Sequence, residues 1–519
     1  MHLAWKTPLQ QAQSDAQSGR FPEMLVACRQ IVESHGDNVN ALLDVGALLL
    51  DFGFLTRARE CFERVRVLAP NDLRPVVNLA NLARDAGNHA ESRRLYSALQ
   101  ASQPNHPVIR RNLLVSQEYD PAVSDSERLQ DACGWGKWAI AQASGSRPRP
   151  PLRPLDVRPL RVGYVSADLC QHTVGLFVKD VLKAHDAERL AAFSYSAGTV
   201  NDWVTDAIRA CTQFRDVAKL DDNALAEQIR QDEIDVLIDL SGHTAGSRLT
   251  VFAHRPAPVQ VSWLGYFATT GLSCMDAVLL DEWHAPPGTE AQFVEPIVRV
   301  PAGRFCYQPV PWMPAVSSAP TFAQGHITFG CFNNTAKLND GVFDVWARVL
   351  AAVPNARLVL KWRTLVDETL CSYIRAAFAR RGIDPQRLEL RPASFHVDVL
   401  KEYADIDIAL DPFPFTGGLT SCEALWMGVT VVTWPQSRVV SRQTFAFLSA
   451  IGLPKLAAQD AESYVRIAVE LATDRERLAA LRNEMRPRMQ ASPLMDVPGF
   501  TRQLEQCLID LYQETAARE

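Results

Sequence analysis

The 519-residue sequence predicts an α-helical solenoid followed by two doubly wound α/β domains, and three observations carry that expectation. Gly19, Gly53 and Gly87 fall into register at a step of 34, and the same step carries Pro70 onto Pro104. A proline-rich break, Ser-Gly-Ser-Arg-Pro-Arg-Pro-Pro-Leu-Arg-Pro, begins at Ser144. From Leu160 onward short apolar runs alternate with helical stretches, the signature of parallel sheets with crossover helices.

Composition bounds the rest. With 47% apolar and 22% charged residues the chain is globular, and its length suits about three domains. Fifty-three Lys and Arg against 59 Asp and Glu give a net charge of -6, too even to mark a nucleic-acid or anionic-membrane surface. Met1-His2-Leu3-Ala4-Trp5-Lys6 has no basic region leading into an apolar core, and no apolar run approaches a membrane span of about 18 residues. A soluble, cytoplasmic protein is expected. The 11 cysteines stand singly, without metal-ligand spacing, so they read as reduced thiols rather than a disulfide or zinc framework.

A step of 34 is the tetratricopeptide period. In residues 37–70, Leu42, Leu43, Gly46 and Leu49 form one helical face, and Ala58, Cys61, Phe62 and Val65 form the next. Residues 71–104 repeat it with Val76, Val77, Ala80 and Ala83, then the Gly87-Asn88 turn, then Leu95, Tyr96 and Leu99. The copy near Leu9 to Gly36 is weaker, as suits a terminal cap. A helical domain is therefore expected over 1–143, its groove open to an extended protein or peptide partner, with a purely structural extension as the alternative. Residues 144–159 are too rich in proline for helix or central strand and are read as a linker. The first α/β domain, 160–320, carries strands expected at 160–165, 193–196, 234–240, 259–264 and 277–280. The second, 321–519, carries them at 327–332, 357–361, 388–391, 406–410 and 429–433. In such sheets ligands lie beyond the carboxyl ends of the strands, so the cleft between the halves is the expected site.

The residues suited to chemistry sit at those strand ends. Gly417-Gly418-Leu419-Thr420-Ser421-Cys422-Glu423 follows a strand and opens a helix, where backbone N–H groups and the helix dipole favour a phosphate. Thr420 and Ser421 either donate to that phosphate or cap the helix. Glu423 is expected in the first turn, as a ribose ligand or as ordinary dipole compensation. Asn333-Asn334-Thr335-Ala336-Lys337 ends another strand, and Lys337 is either a point charge on a leaving diphosphate or a solvated surface lysine. His172, after the first strand, and His243, in Ser241-Gly242-His243-Thr244, are candidates for holding an acceptor hydroxyl or moving its proton, or are hydrogen-bonded loop histidines. Asp405-Ile406-Asp407 has the Asp-x-Asp pattern of a divalent-ion site but leads straight into an apolar strand, so no metal is expected.

Assembled, these residues resemble the tetratricopeptide-repeat protein O-glycosyltransferases, glycosyltransferase family 41, comprising the O-GlcNAc transferases and the SPINDLY-type enzymes. The resemblance covers nearly the whole chain. It rests on Arg161-Val162-Gly163-Tyr164-Val165-Ser166-Ala167-Asp168 with His172, on Arg255-Pro256-Ala257-Pro258-Val259-Gln260 through Trp263-Leu264-Gly265-Tyr266, on Phe329-Gly330-Cys331-Phe332-Asn333 with Lys337, and on residues 411–428. It implies a GT-B fold and an inverting, metal-independent and cofactor-free transfer from a nucleotide sugar to Ser or Thr hydroxyls of proteins, GlcNAc from UDP-GlcNAc being the leading donor. By the same resemblance Lys337 is the diphosphate lysine, His172 the active-site histidine, Asn334 a residue contacting the donor sugar nucleotide, and Glu423 an acidic ribose ligand. O-GlcNAc transferases of animals read Gly-His-Thr-Thr-Gly in the phosphate loop, where this chain has Gly418 in the histidine position. Asp411-Pro412-Phe413-Pro414 with Cys422-Glu423 is closer to SPINDLY-like members, some of which use GDP-fucose. A family histidine near the nucleotide base aligns with Val397, with His396 one place away. Two other functions remain beside this one: a catalytically inactive, repeat-based interaction protein, and a sugar-nucleotide epimerase.

Overall fold

The computed structural model describes residues 4–155 and 158–518. Eight helices come first: α1 (Lys6–Gln17), α2 (Phe21–His35), α3 (Val39–Asp51), α4 (Leu55–Leu68), α5 (Arg74–Asp85), α6 (His89–Ser102), α7 (Pro107–Tyr119) and α8 (Asp125–Gln142). The first six form three antiparallel pairs. The turn within each pair is made by the glycine found in the sequence, with φ of +75° at Gly19, +88° at Gly53 and +75° at Gly87. A residue without a Cβ suits that left-handed backbone. Between the pairs, α5 and α7 open with proline in the first turn, where the missing N–H costs nothing.

Two parallel sheets follow. The first takes β1 (Leu160–Ser166), β2 (Leu190–Ser196), β3 (Gln213–Asp216), β4 (Val236–Asp239), β5 (Val259–Trp263), β6 (Ala277–Leu280) and β7 (Ile297–Arg299), in the order β3-β2-β1-β4-β5-β6-β7. Helix α9 (Thr173–Lys183) is the first crossover. Strands β4 and β5 are buried throughout and β1 at every position but Arg161, which is why they read as largely apolar runs. Edge strand β3 has no fully buried residue and β7 is only three residues long, so neither left an apolar signature in the sequence. The second sheet contains β8 (Thr328–Cys331), β9 (Arg357–Lys361), β10 (Leu388–Arg391) and β11 (Ile408–Leu410), in the order β10-β9-β8-β11, followed in the chain by β12 (Thr430–Val432). Helix α10 (Leu419–Trp426) precedes β12, and α11 (Gln443–Ala450) and α12 (Val497–Arg518) come after it. No helix among the described residues is long and apolar enough to cross a membrane.

The chain divides into two compact units, and their limits differ from the expected domain boundaries. One holds Met1–Asp120, Ala319–Pro412 and Ala468–Thr473; the other holds Pro121–Ser318, Phe413–Ile467 and Asp474–Glu519. Helix α8, expected to close the solenoid, lies in the second unit. There Trp135 packs at 4.5 Å from His243, and Gly136 faces the backbone of Gly271 too closely for any side chain. The proline-rich linker is also fixed: Arg153 and Arg158 grip the fully buried carboxylate of Asp235 at 3.0 and 2.6 Å. The Arg153 N–H donates to the Tyr512 hydroxyl at 2.7 Å, so helix α12 returns to cover the first sheet. A second tie on the same helix joins Tyr164, His185 and Glu505: the Tyr164 hydroxyl lies 2.8 Å from His185 Nε2, and His185 Nδ1 lies 3.0 Å from Glu505.

Candidate active site

In the first unit, β8 ends in a 3-10 turn, Thr335–Lys337, capped by Asn334, whose Oδ1 accepts from the Ala336 N–H at 3.0 Å. The Asn334 oxygen is thus engaged in the turn. Lys337 is 8% exposed, so it is not a solvated surface lysine. Its Nζ donates to Asn333 Oδ1 at 2.7 Å. Burial pushes the amine down to about 8, against the pull of the Asp411 carboxylate at the end of β11. A buried, shifted amine beyond the carboxyl end of a parallel strand is a functional-site candidate on physical grounds. The Asp-x-Asp carboxylates are committed elsewhere. Asp405 pairs with Arg391 at 2.7 Å, and buried Asp407 accepts from the Thr321 and Thr328 N–H groups at 3.1 and 2.8 Å.

In the second unit His172 is the N-cap of α9, its Nδ1 accepting from the Val174 N–H at 3.3 Å. That bond leaves the neutral ring with its proton on Nε2. Asp168 lies 3.8 Å from the same Nδ1, and burial raises its carboxyl above the usual range despite the histidine. The half-exposed imidazole therefore presents an N–H outward.

His243 is placed differently. It is 1% exposed, edge-on between Trp135 and Tyr266, with ring centroids at 4.5 and 5.1 Å, and its Nε2 lies 3.0 Å from the Thr270 carbonyl. Enclosure by two rings and the Thr270 carbonyl leaves this imidazole almost without solvent access, unlike His172. The neighbouring residue with chemistry is one the sequence reading passed over. Asp239 ends β4, is 1% exposed and accepts from the Ser241 and Gly242 N–H groups at 3.1 and 2.8 Å, and burial raises it to about 7. A lone carboxylate inside the apolar run 236–240 was the available signal.

The glycine loop lies in the same unit and is braced from behind. Thr416 Oγ1 donates to the Val440 carbonyl at 2.8 Å, and Thr444 Oγ1 to the Gly417 carbonyl at 3.2 Å. Gly418 is the N-cap of α10 and contributes no side-chain cap, so this helix opening is lined by backbone. Leu419 and Thr420 form its first, partly exposed positions. The Ser421 hydroxyl lies 2.8 Å from Thr444 Oγ1, which fits it to hold the loop. Glu423 is 4% exposed and stands at the fifth helical position, one turn deeper than expected, so dipole compensation in the first turn is not its role.

The model of glycosyl transferase family 41 matches residues 152–317 and 311–504. The chain belongs to this family. Among curated proteins, this family 41 chain is 39% identical over 354 residues to the probable UDP-N-acetylglucosamine--peptide N-acetylglucosaminyltransferase SPINDLY of Petunia hybrida, covering 67% of this chain and 38% of the relative. A protein named SEC in Arabidopsis thaliana, with the same activity in its name, is 29% identical over 367 residues, 68% of this chain and 37% of its own. The chain thus spans about two fifths of the length of these relatives. Among solved structures, a mutant of the O-GlcNAc transferase of Thermobaculum terrenum superposes with a TM-score of 0.90 at 34% identity, covering 99% of this chain and 98% of the other. That agreement extends through the helical repeats and bears out the expected architecture of repeats followed by GT-B-like domains.

Proposed function

We propose that this family 41 chain is a protein O-glycosyltransferase acting in the cytoplasm, which transfers GlcNAc from UDP-GlcNAc to Ser or Thr hydroxyls with inversion and without a metal ion. The buried amine of Lys337 carries the proposal. As the acceptor oxygen forms its bond to the anomeric carbon, the bond to the leaving diphosphate breaks and charge grows on its oxygens. A cation held in a dry site stabilises that charge far more than one in water. An arriving diphosphate holds Lys337 protonated, and the opening of α10 at Leu419 and Thr420 supplies backbone donors for the same kind of anion. Asn334 and Glu423 are assigned to the nucleotide sugar.

His172 serves the acceptor. In the described tautomer it donates from Nε2 to the acceptor oxygen; turned from the Val174 amide toward Asp168, it becomes Nδ1–H and its Nε2 takes the hydroxyl proton. Asp405 and Asp407 already have partners, which supports transfer without a divalent ion. The repeats are assigned the protein acceptor.

A second reading, fucose from GDP-fucose, is favoured by Gly418 in place of the phosphate-loop histidine. Incubating the chain with each nucleotide sugar and a Ser/Thr peptide library, followed by mass spectrometry, separates an added N-acetylhexosamine from a deoxyhexose. Binding of UDP or GDP with neither transfer nor donor hydrolysis would establish the inactive interaction protein instead.

A further inference from the structure

Resting on the reading of Lys337 as the leaving-group cation, we infer that the third helical repeat is part of the catalytic machinery: its turn at Gly87 positions the turn that carries Lys337.

The three glycine turns of the solenoid meet three consecutive strand ends. Gly19 faces the ring of Phe395, after β10, which an added Cβ would meet at 3.5 Å; Gly53 abuts the Arg363 carbonyl, after β9; Gly87 meets the Leu338 carbonyl, after β8, where an added Cβ would stand 2.8 Å from the oxygen. Repeat follows repeat as strand follows strand, in the order β10-β9-β8. The solenoid therefore docks through its turns on the loops at which an α/β sheet builds its site.

At β8 the docking reaches the chemistry. Thr335, two residues before Lys337 in the same 3-10 turn, donates its hydroxyl to the Asp85 carbonyl, the last residue of α5, at 2.6 Å. The same hydroxyl lies 2.6 Å from Thr364 Oγ1, so repeat, β8 turn and β9 turn share one buried contact. The Asp85 side chain is itself fixed, by Arg84 at 2.8 Å and by Arg363 at 3.6 Å. One repeat further back the pattern recurs, the Thr56 N–H and hydroxyl donating to the Asp367 carboxylate at 2.7 and 3.0 Å. A turn of three residues has little rigidity of its own, and its position is inherited from α5. Because leaving-group stabilisation falls steeply with sub-ångström misplacement, a shift of this repeat reads out at the lysine rather than only in the fold.

The test uses the full chain and four variants. Thr335→Val keeps the shape and removes the hydroxyl; Gly87→Ala pushes on the Leu338 carbonyl; Trp5→Phe removes an indole N–H that donates to Asp44, within the first two repeats, at 2.9 Å; Lys337→Ala removes the amine. Donor hydrolysis and peptide transfer are measured across pH 6 to 10. Thr335→Val and Gly87→Ala are expected to lower kcat by about ten-fold or more in both reactions, with the KM for the nucleotide sugar changed by less than about three-fold, and to displace the alkaline limb of the pH profile. Trp5→Phe, two repeats away, keeps kcat and the limb. If Lys337→Ala keeps wild-type hydrolysis, the underlying reading of the lysine fails. If Lys337→Ala is inactive while Thr335→Val keeps kcat and its pH limb, the positioning role of the repeat fails and the reading stands. A Gly87→Ala protein that does not fold leaves Thr335→Val to decide.

Discussion

Replacing Lys337 by methionine should make this protein more stable and inactive at once. Burial lowers the folded-state pKa of the amine from 10.5 to about 8. The unfolded chain therefore holds the proton more tightly than the folded one, and below pH 8 folding bears the cost of a buried charge. A shift of about 2.5 units corresponds to about 3 kcal/mol, present in full at pH 7 and relieved as pH rises from 8 toward 10.5. Lys337→Met keeps the length of the side chain and removes the charge, so it should gain up to that amount at pH 7 and progressively less above pH 8. Urea unfolding of wild type and variant at pH 7 and pH 10, without nucleotide, reads the difference directly. A nucleotide diphosphate should narrow it, because the anion stabilises only the wild-type cation. A variant less stable than wild type at pH 7, or an advantage independent of pH, would refute the picture of a strained catalytic amine.

Other expectations follow from the same geometry. The kcat/KM for the nucleotide sugar should fall as pH rises through about 8, where Lys337 loses its proton, while kcat holds to higher pH because the bound diphosphate retains that proton; flat profiles would remove the lysine from the mechanism. Transfer should persist in EDTA, and restoration of an EDTA-inhibited enzyme by Mn²⁺ would reopen the role of Asp405 and Asp407. His243→Phe should cost stability, about 1–3 kcal/mol in thermal unfolding, yet leave the pH dependence of donor hydrolysis as in wild type. Burial opposes ionisation of Glu505, but its bonds to His185 and the Asp186 N–H outweigh this and hold it below its ordinary value. Glu505→Gln should therefore cost about 1–3 kcal/mol at pH 7, and the deficit should shrink as the medium is acidified through the lowered range in which the wild-type carboxylate takes up its proton.

What the sequence revealed followed the strength of each local constraint. Glycine at a left-handed turn is a constraint of one residue on itself, so Gly19, Gly53 and Gly87 announced the repeats. Strands β1, β4 and β5 are buried on both faces and were legible as apolar runs, whereas β3 on an edge was not. The helix opening at Gly418 was legible because two glycines between a strand and a helix leave the first turn lined by backbone. Whether a histidine faces water or two aromatic rings is decided by distant chain: Trp135 and Tyr266 lie over one hundred and over twenty residues from His243, and nothing near Gly242 records them. The depth of Glu423 turned on where α10 begins, a matter of a single turn. The surroundings of Lys337 include the Asp411 carboxylate and, through Thr335, the Asp85 carbonyl of the solenoid, neither adjacent to it in sequence.

The grip of Asp235 on Arg153 and Arg158, completed by the Tyr512 hydroxyl, also sets an order of events during synthesis. The first sheet emerges from the ribosome early, yet Asp235 and Trp263 are covered by residues made some 240 to 280 positions later, Trp263 by the ring of Phe500 at 6.2 Å. Until α12 is translated, that lobe carries an uncovered apolar patch, and Asp235 is held by Arg153, Arg158 and the Arg161 N–H without the Tyr512 hydroxyl. A nascent chain stalled before Phe500 should thus bind holdase chaperones through its middle rather than its growing end. C-terminal truncations of a few dozen residues should fail in the amino-terminal half of the α/β region, far in sequence from the cut.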